Sequence, residues 1–383
     1  MIRREAFRDR KNYWLARGSE AARPLLRGVA RLCAPGPAVP ASQWRNGLIV
    51  GAAHIGDVLY RTASLPYLQK YFPDCRWSYL AGERSAPVLG NNPHLARVLP
   101  HVSGTTCDQL RPGALEELRA ARFDAVLCTD ANTYQSDYRL ALRLGIPNRA
   151  GFVHRGLSGF ATHPAPCPYP SPWPRYFQSM IQFLAGTDET WDLRPRVYPG
   201  ADDLREAEAE WARCAFDPGV PVIACAVASK SPQALWPVAR YLEALRAVQA
   251  ARPVSLLFCG STQDADTLRE MAAALPGARW TAGLGLRSLV VLLGRCRLFL
   301  GSDSGPRHLA NAAGIPVFYF RSLGSPPFET ASYCAGEVDL SPPGGPWEPA
   351  RQRAALETVS AESVADKLLR FLTDGKPAAR PDR

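Results

Sequence analysis

The chain has 383 residues, 46% of them hydrophobic and 21% charged, the composition of a soluble globular protein long enough for about two domains. It contains no run of about 18 apolar residues that would read as a membrane-spanning helix, and the opening MIRREAFRDRKNYW carries charges of both signs with no apolar stretch behind it, which argues against a secretory signal. The net charge of +10 is concentrated in residues 1–45, which hold ten Arg or Lys against three acids. The remainder is nearly neutral and lacks a basic-aromatic nucleic-acid motif, so nucleic acid is excluded as a partner. Ten cysteines are scattered singly from Cys33 to Cys334, without a C-x-x-C pair or a nearby His at ligand spacing. They predict a reduced compartment and no metal site.

In chain order, residues 1–45 form a basic N-terminal extension in which Phe7, Tyr13, Trp14, Leu15, Leu25, Leu26, Val29 and Leu32 interleave with the arginines. That mixture predicts basic amphipathic helices on an anionic membrane surface, or else a solvated, partly disordered extension. After the turn-rich CAPGPAVPAS, residues 46–200 alternate strand-like and helix-like runs. LIV (48–50), WSYL (77–80), DAVLC (124–128) and RAGF (149–152) read as strands; SLPYLQKYF, ALEELRAAR and YRLALRLG show helical spacing. HPAPCPYPSPWP (163–174) is too rich in proline for a helix interior or a central strand. A helix follows over 175–184, and a domain boundary is expected near residue 200. Residues 201–383 repeat the alternation with strands VIACAVAS, VSLLFCGS, RLFLGSD and PVFYF and with helices WPVARYLEALRAVQA, ADTLREMAAAL, LRSLVVLLGRC and AESVADKLLRFL. Two α/β halves with parallel sheets follow, and their ligands are expected beyond the carboxyl ends of the strands.

Two strand-to-helix loops stand out there. In GAAHIGDVLYRTASLP (51–66), small residues follow the first strand, and Asp57 sits at the start of a helix, where capping is the default role for a carboxylate. In GSDSGPRHLANAAGIPVFYF (301–320), Ser304 and Gly305 place backbone N–H groups at a helix N-terminus that starts around Pro306, with His308 one turn in. That arrangement suits a diphosphate, although Asp303 or Ser304 acting as a plain N-cap explains a lone D-S-G as well.

The second loop resembles the signature of glycosyltransferase family 9, the bacterial heptosyltransferases of lipopolysaccharide core, in which Asp-Ser/Thr-Gly-x-x-His precedes an Ala-rich helix and a Gly-x-Pro-Val strand entry. The first loop resembles that family's other hallmark. ASKSPQALWP (228–237) and FCGSTQDADTLREMAAAL (258–275) add two more segments in register. The resemblance implies a GT-B fold, two Rossmann-like domains facing a central cleft, the N-terminal one (46–200) for the acceptor and the C-terminal one (201–383) for the nucleotide sugar.

It further implies Asp57 as the base of an inverting transfer, Ser304, Gly305 and His308 at the donor phosphates, and Asp303 near the donor sugar. His54, Gly56 and Arg61 flank the acceptor side, with packing or capping as the other role for His54. The family commonly has a basic residue two places before the Trp of Trp-Pro, whereas Ala234 stands there. Lys230, next to Ser229 in the loop after VIACAVAS, either takes over that contact or faces solvent. Arg307, where an apolar residue is usual, is expected to add positive charge at the phosphates. Trp236 and Pro237 read as packing and helix-start residues, and Asp264 as an N-cap or a ribose contact.

The expected function is transfer of heptose from ADP-heptose to a phosphorylated lipopolysaccharide core acceptor, by a cytoplasmic protein peripheral to the inner face of the inner membrane. No cofactor is implied, and Mg²⁺ remains compatible with a diphosphate donor. A family relative with another donor or acceptor, and a non-catalytic relative that keeps the fold, share the same motifs.

Overall fold

Each βα alternation closes into its own parallel sheet. The computed structural model describes residues 10–51, 54–129, 136–154, 156–227, 235–345 and 348–375, and the chain divides into two units, Met1–Leu193 and Arg194–Arg383.

In unit 1, α1 (Arg10–Ala21) and α2 (Arg23–Cys33) precede β1 (Asn46–Val50), α3 (Ile55–Thr62), α4 (Leu65–Tyr71), β2 (Arg76–Gly82) and β3 (Arg97–Val102). Then come α5 (Ala114–Ala120), β4 (Ala125–Cys128), α6 (Ser136–Arg143), β5 (Asn148–Phe152), β6 (His163–Ala165) and α7 (Trp173–Ala185). The six strands run parallel in the order β3-β2-β1-β4-β5-β6. Leu48, Ile49 and Val50 of β1 are all buried, the continuous apolar run that a strand covered on both faces requires. The proline-rich segment contributes only β6, at the sheet edge, where the missing N–H of Pro164 is tolerated.

Unit 2 holds α8 (Ala201–Cys214), β7 (Val222–Ala226), α9 (Val238–Ala251), β8 (Ser255–Gly260), α10 (Ala265–Ala273), β9 (Arg279–Ala282) and α11 (Leu286–Leu293). It continues with β10 (Leu298–Ser302), α12 (Gly305–Ala313), β11 (Val317–Phe320), β12 (Glu337–Asp339), α13 (Pro349–Glu357) and α14 (Ala361–Asp374). Its sheet order, β12-β11-β10-β7-β8-β9, is the unit 1 order read from the other edge. Trp236 is fully buried in the core, stacked on Phe320 at 4.7 Å, with its indole N–H donating to Val359 O at 3.1 Å. Pro237 is the N-cap of α9, so both residues serve packing and helix start.

Strand order reverses between β1 and β4 in one sheet and between β7 and β10 in the other, the places where open α/β sheets bind ligands. GAAHIGD leaves β1 and GSDSGPRH leaves β10, so each motif sits at the reversal point of its own unit.

The N-terminal region differs from a solvated tail. Within its described part, α1 and α2 pack on the loop after β5: Leu157 N–H donates to Ser19 Oγ at 3.0 Å, and the Ser158 N–H and hydroxyl donate to the Glu20 carboxylate at 2.9 and 2.6 Å. Ala16, Ala30 and Ala34 are buried beneath the helices. All ten cysteines are free, and all except Cys33 and Cys167 are buried. Burial pushes the Cys75 and Cys259 thiols up to about 12, so they behave as apolar core groups.

Candidate active site

At the end of β1 the chain turns through Gly51 and enters α3, whose N-cap is His54, exposed and without a side-chain capping bond. Gly56 and Asp57 lie in the first turn, both half-buried. Asp57 is therefore not the cap: it follows the N-cap by three residues, and its Oδ1 accepts the Tyr60 hydroxyl at 3.0 Å. A carboxylate in the first turn of a helix lies at the positive end of the helix dipole.

Arg61 is buried rather than presented to an acceptor. Its Nη1 donates to the Asp57 backbone carbonyl at 2.9 Å, and its Nη2 lies 3.5 Å from Thr129 O at the end of β4. The guanidinium thus braces the turn from below. Gly51 makes room for it: a Cβ there would stand 2.3 Å from Thr129 Oγ1 and 3.1 Å from Arg61 Cζ. Arg61, expected on the acceptor side, instead positions the backbone that carries Asp57.

In unit 2, β10 ends at Ser302 and α12 begins at Gly305 with Ser304 as an extended N-cap. The Ser304 hydroxyl donates to Ser302 O at 3.3 Å instead of capping the helix. The first amides of α12 therefore receive no side-chain cap, the arrangement that accommodates an anion. Asp303 is tied on both oxygens, Oδ1 accepting Arg307 Nη1 at 2.7 Å and Oδ2 the Ser322 N–H at 3.4 Å.

Arg307 is 1% exposed, which corrects the expectation that it adds charge at the phosphates. Its Nε donates to Glu337 Oε1 at 2.7 Å, its remaining N–H groups reach Thr330 O and Ala331 O at 3.1 Å, and its Cζ lies 3.5 Å from the Tyr319 ring centroid. Glu337, whose side chain is fully buried, also accepts Asn311 Nδ2 and the Tyr333 and Cys334 N–H groups. Burial alone would raise its carboxyl, but the Arg307 charge and these hydrogen bonds hold it below the usual range.

His308 extends the same network. Its ring stacks on Tyr333, its Nδ1 hydrogen-bonds the Tyr333 hydroxyl, and its Nε2 lies 3.9 Å from Asp303 Oδ1. Burial raises the Tyr333 phenol well above its ordinary range, so it keeps its proton. Asn311 Nδ2 donates to that oxygen at 3.1 Å; with the phenol donating in turn to Nδ1, a neutral imidazole carries its proton on Nε2. Tyr333, Asn311 and Glu337 escaped the sequence reading. Glu337 lies on the short strand β12, which has no apolar run to mark it, although Asn311 sits one turn after His308 inside the quoted motif.

Asp264 accepts both the Ser261 N–H and hydroxyl, at 2.8 and 2.6 Å, and caps a short turn before α10. Ser229, Lys230 and Ala234 lie outside the described residues. Among the described residues no cluster of His, Cys, Asp or Glu could hold a metal ion.

With this geometry in place, comparison with known proteins gives concordant results. The sequence model of glycosyltransferase family 9 (heptosyltransferase) matches residues 114–319. Lipopolysaccharide heptosyltransferase 2 of Escherichia coli (strain K12) is 25% identical over 303 residues, 73% of this chain and 84% of that protein. A family 9 glycosyltransferase from Veillonella parvula superposes with a TM-score of 0.72 at 18% identity, covering 88% of this chain and 99% of the other. Escherichia coli heptosyltransferase WaaC, solved with ADP-2-deoxy-2-fluoro heptose, gives a TM-score of 0.61 at 16% identity over 86% of this chain and 99% of its own.

Proposed function

The chain belongs to glycosyltransferase family 9, and from that premise we propose that it transfers heptose from ADP-heptose to a lipopolysaccharide core acceptor, with inversion at the anomeric carbon. The observation that carries this reading is the start of α12. An N-terminus without a side-chain cap stands beside a histidine whose Nδ1 is hydrogen-bonded to Tyr333, an arrangement suited to a nucleoside diphosphate. The choice of ADP-heptose is supported by the donor analogue bound to WaaC and by the lipopolysaccharide heptosyltransferase relative.

In the reaction, the acceptor oxygen forms its bond to the anomeric carbon as the bond to the diphosphate breaks on the opposite face. The hydroxyl proton passes to the Asp57 carboxylate. Negative charge gathers on the departing diphosphate, and the Ser304 and Gly305 amides with His308 stabilise it there. Asp303 and Arg307 keep that turn rigid, so the donors need no reorganisation as charge develops. These groups stabilise the diphosphate by hydrogen bonding without a formal charge of their own, and a bound Mg²⁺ would supply neutralising charge beside them.

The acceptor is a phosphorylated glycolipid, which places the work at the cytoplasmic face of the inner membrane, where a nucleotide sugar and a lipid-borne acceptor meet. Free, buried cysteines fit such a reduced compartment, and among the described residues no helix is long and apolar enough to cross a membrane.

Calorimetric titration with ADP, UDP and GDP, followed by ADP-heptose turnover in the wild type and Asp57→Ala, tests the proposal. ADP binding with turnover lost only in the variant is expected. Absence of any nucleoside diphosphate binding would overturn the transferase site. Preference for UDP or GDP would keep the mechanism and change the donor, and ADP binding with equal trace turnover in both proteins would point to a non-catalytic relative.

A further inference from the structure

The helices α1 and α2 lie outside the family match, which begins at residue 114, and their surface is unlike the rest of the molecule. Among the described residues, the large apolar side chains exposed to solvent are Trp14, Leu15, Leu25, Val29, Leu32, Phe183, Leu204 and Val238. The first five of these eight fall within one helical pair. Leu32 is 85% exposed, Leu25 70% and Trp14 63%. On α2, Leu25, Val29 and Leu32 recur at helical spacing and form one apolar stripe, while Ala30 on the other side is buried.

This stripe is not the loose face of a frayed end. Two glycines in the loop after β5 let the helices approach the domain closely. A Cβ at Gly156, whose φ is +97°, would stand 2.4 Å from Ser19 Oγ and 2.9 Å from Ala16 Cα. One at Gly159 would meet Leu26 Cβ at 2.6 Å and Arg23 O at 2.8 Å. With the Ser19–Leu157 and Glu20–Ser158 hydrogen bonds, these contacts fix which side of each helix faces inward. The apolar stripe is consequently held outward by the fold.

Charge identifies the occupant. Arg17, Arg27 and Arg31 are exposed on the same helices, whereas Glu20, the acid within this pair, is turned inward onto Ser158. An exposed apolar stripe, with exposed arginines and an exposed Trp14 on the same helical pair, matches the boundary of an anionic bilayer, where apolar side chains enter the acyl region and guanidinium groups meet phosphates. We propose that the α1–α2 pair is a membrane-docking surface that holds the protein on anionic lipid. The inference rests on these helices alone, so its failure would leave the donor chemistry untouched.

Co-sedimentation of the full chain with vesicles of phosphatidylglycerol and phosphatidylethanolamine, beside vesicles of phosphatidylcholine alone, provides the test. Three exposed residues change together in Leu25→Ser/Val29→Ser/Leu32→Ser, and three charges in Arg17→Glu/Arg27→Glu/Arg31→Glu; thermal melts and ADP titration check that both variants remain folded. Binding of the wild type to anionic but not to neutral vesicles is expected, weakened at least tenfold in each variant, with the ADP affinity of both unchanged. Equal vesicle binding by the wild type and both folded variants would overturn the proposal. So would a concentration-dependent dimer of the wild type that the serine variant abolishes while neither protein binds vesicles, because a second copy of the chain would then cover the stripe. Should either variant fail to fold, the single substitutions Leu32→Ser and Arg31→Glu, each expected to weaken binding severalfold, decide the matter by the same comparison.

Discussion

The two units carry the same strand order and, at their reversal points, the same Asp-x-x-x-Arg spacing, yet they use it in opposite ways. In unit 1, Arg61 donates to the backbone carbonyl of Asp57 and leaves the carboxylate to the Tyr60 hydroxyl. In unit 2, Arg307 donates to the Asp303 carboxylate itself and is anchored from behind by Glu337. A carboxylate that must collect a proton needs its lone pairs available, and bracing its backbone positions it without neutralising it. A turn that must present fixed amides to a diphosphate gains from the reverse arrangement, in which the acid is consumed in holding the loop. Under the proposed mechanism, one i, i+4 spacing thus supports a reactive carboxylate in one unit and a rigid anion site in the other.

The largest expected effect lies on the reactive side. Asp57→Asn keeps the shape and the Arg61 contact to the backbone but removes the proposed base, and should lower kcat about 10²–10⁴-fold with ADP binding unchanged. Stopped-flow or coupled detection of ADP release measures the first, and calorimetry the second. A variant that loses ADP binding in parallel would sink the division of roles between the two loops.

On the rigid side the corresponding change concerns stability. Glu337→Gln leaves the buried Arg307 guanidinium without its main counter-charge and is expected to cost about 3–5 kcal/mol of unfolding free energy, as removal of one member of a buried ion pair does. The same residue predicts a pH response. Its carboxyl lies below the usual range in the folded protein, so its contribution to stability is present above the unfolded value of about 4.3 and disappears as pH falls through the folded one. Urea melts of the wild type should lose stability on acidification below about pH 4, and Glu337→Gln should show a shallower loss over the same window. Parallel curves would mean that Glu337 does not govern this acid sensitivity.

How far such features can be read from sequence differs between the two loops for a physical reason. The parallel strands announced themselves because Leu48–Val50 and Val222–Ala226 are buried on both faces and so are continuously apolar. The short edge strands β6 and β12 and the four-residue β9 carry no such run, since one side of an edge strand needs neither a partner nor cover. The motif residues Asp57, Asp303, Ser304, Gly305 and His308 were recognisable because each lies within a few residues of a strand end. The groups that hold them were not. Glu337 reaches Arg307 from 30 residues away, and Tyr333 reaches His308 from 25, separations at which no local periodicity operates. Arg307 and Arg61 were visible but misread, because an arginine beside a phosphate motif has the same letter whether it faces the ligand or the interior.

Tyr333→Phe probes that hidden support at moderate cost. The ring still stacks on His308, but the hydroxyl that donates to Nδ1 and accepts from Asn311 is gone. The imidazole is then free to place its proton on either nitrogen, and the donor KM should rise about tenfold, roughly the worth of one to two net hydrogen bonds, with kcat changed much less. Equal falls in kcat and in kcat/KM would assign the network to the transition state and blur the contrast between a rigid binding turn and a reactive one.

The smallest effect bears on the contrast most directly. Tyr60 donates to Asp57 Oδ1 at 3.0 Å from the same helix one turn on, and it is the side chain that orients the carboxylate where a guanidinium does so in the other unit. Because the acceptor is only half-buried, removal of this hydrogen bond in Tyr60→Phe should cost about 1 kcal/mol, a roughly fivefold fall in kcat, with no change in ADP affinity or in melting temperature beyond a degree or two. A much larger loss would mean that the phenol itself takes part in proton transfer. No loss at all would mean that the helix and the braced backbone already aim Asp57 unaided, and that the hydroxyl is as dispensable in unit 1 as Arg307 is indispensable in unit 2.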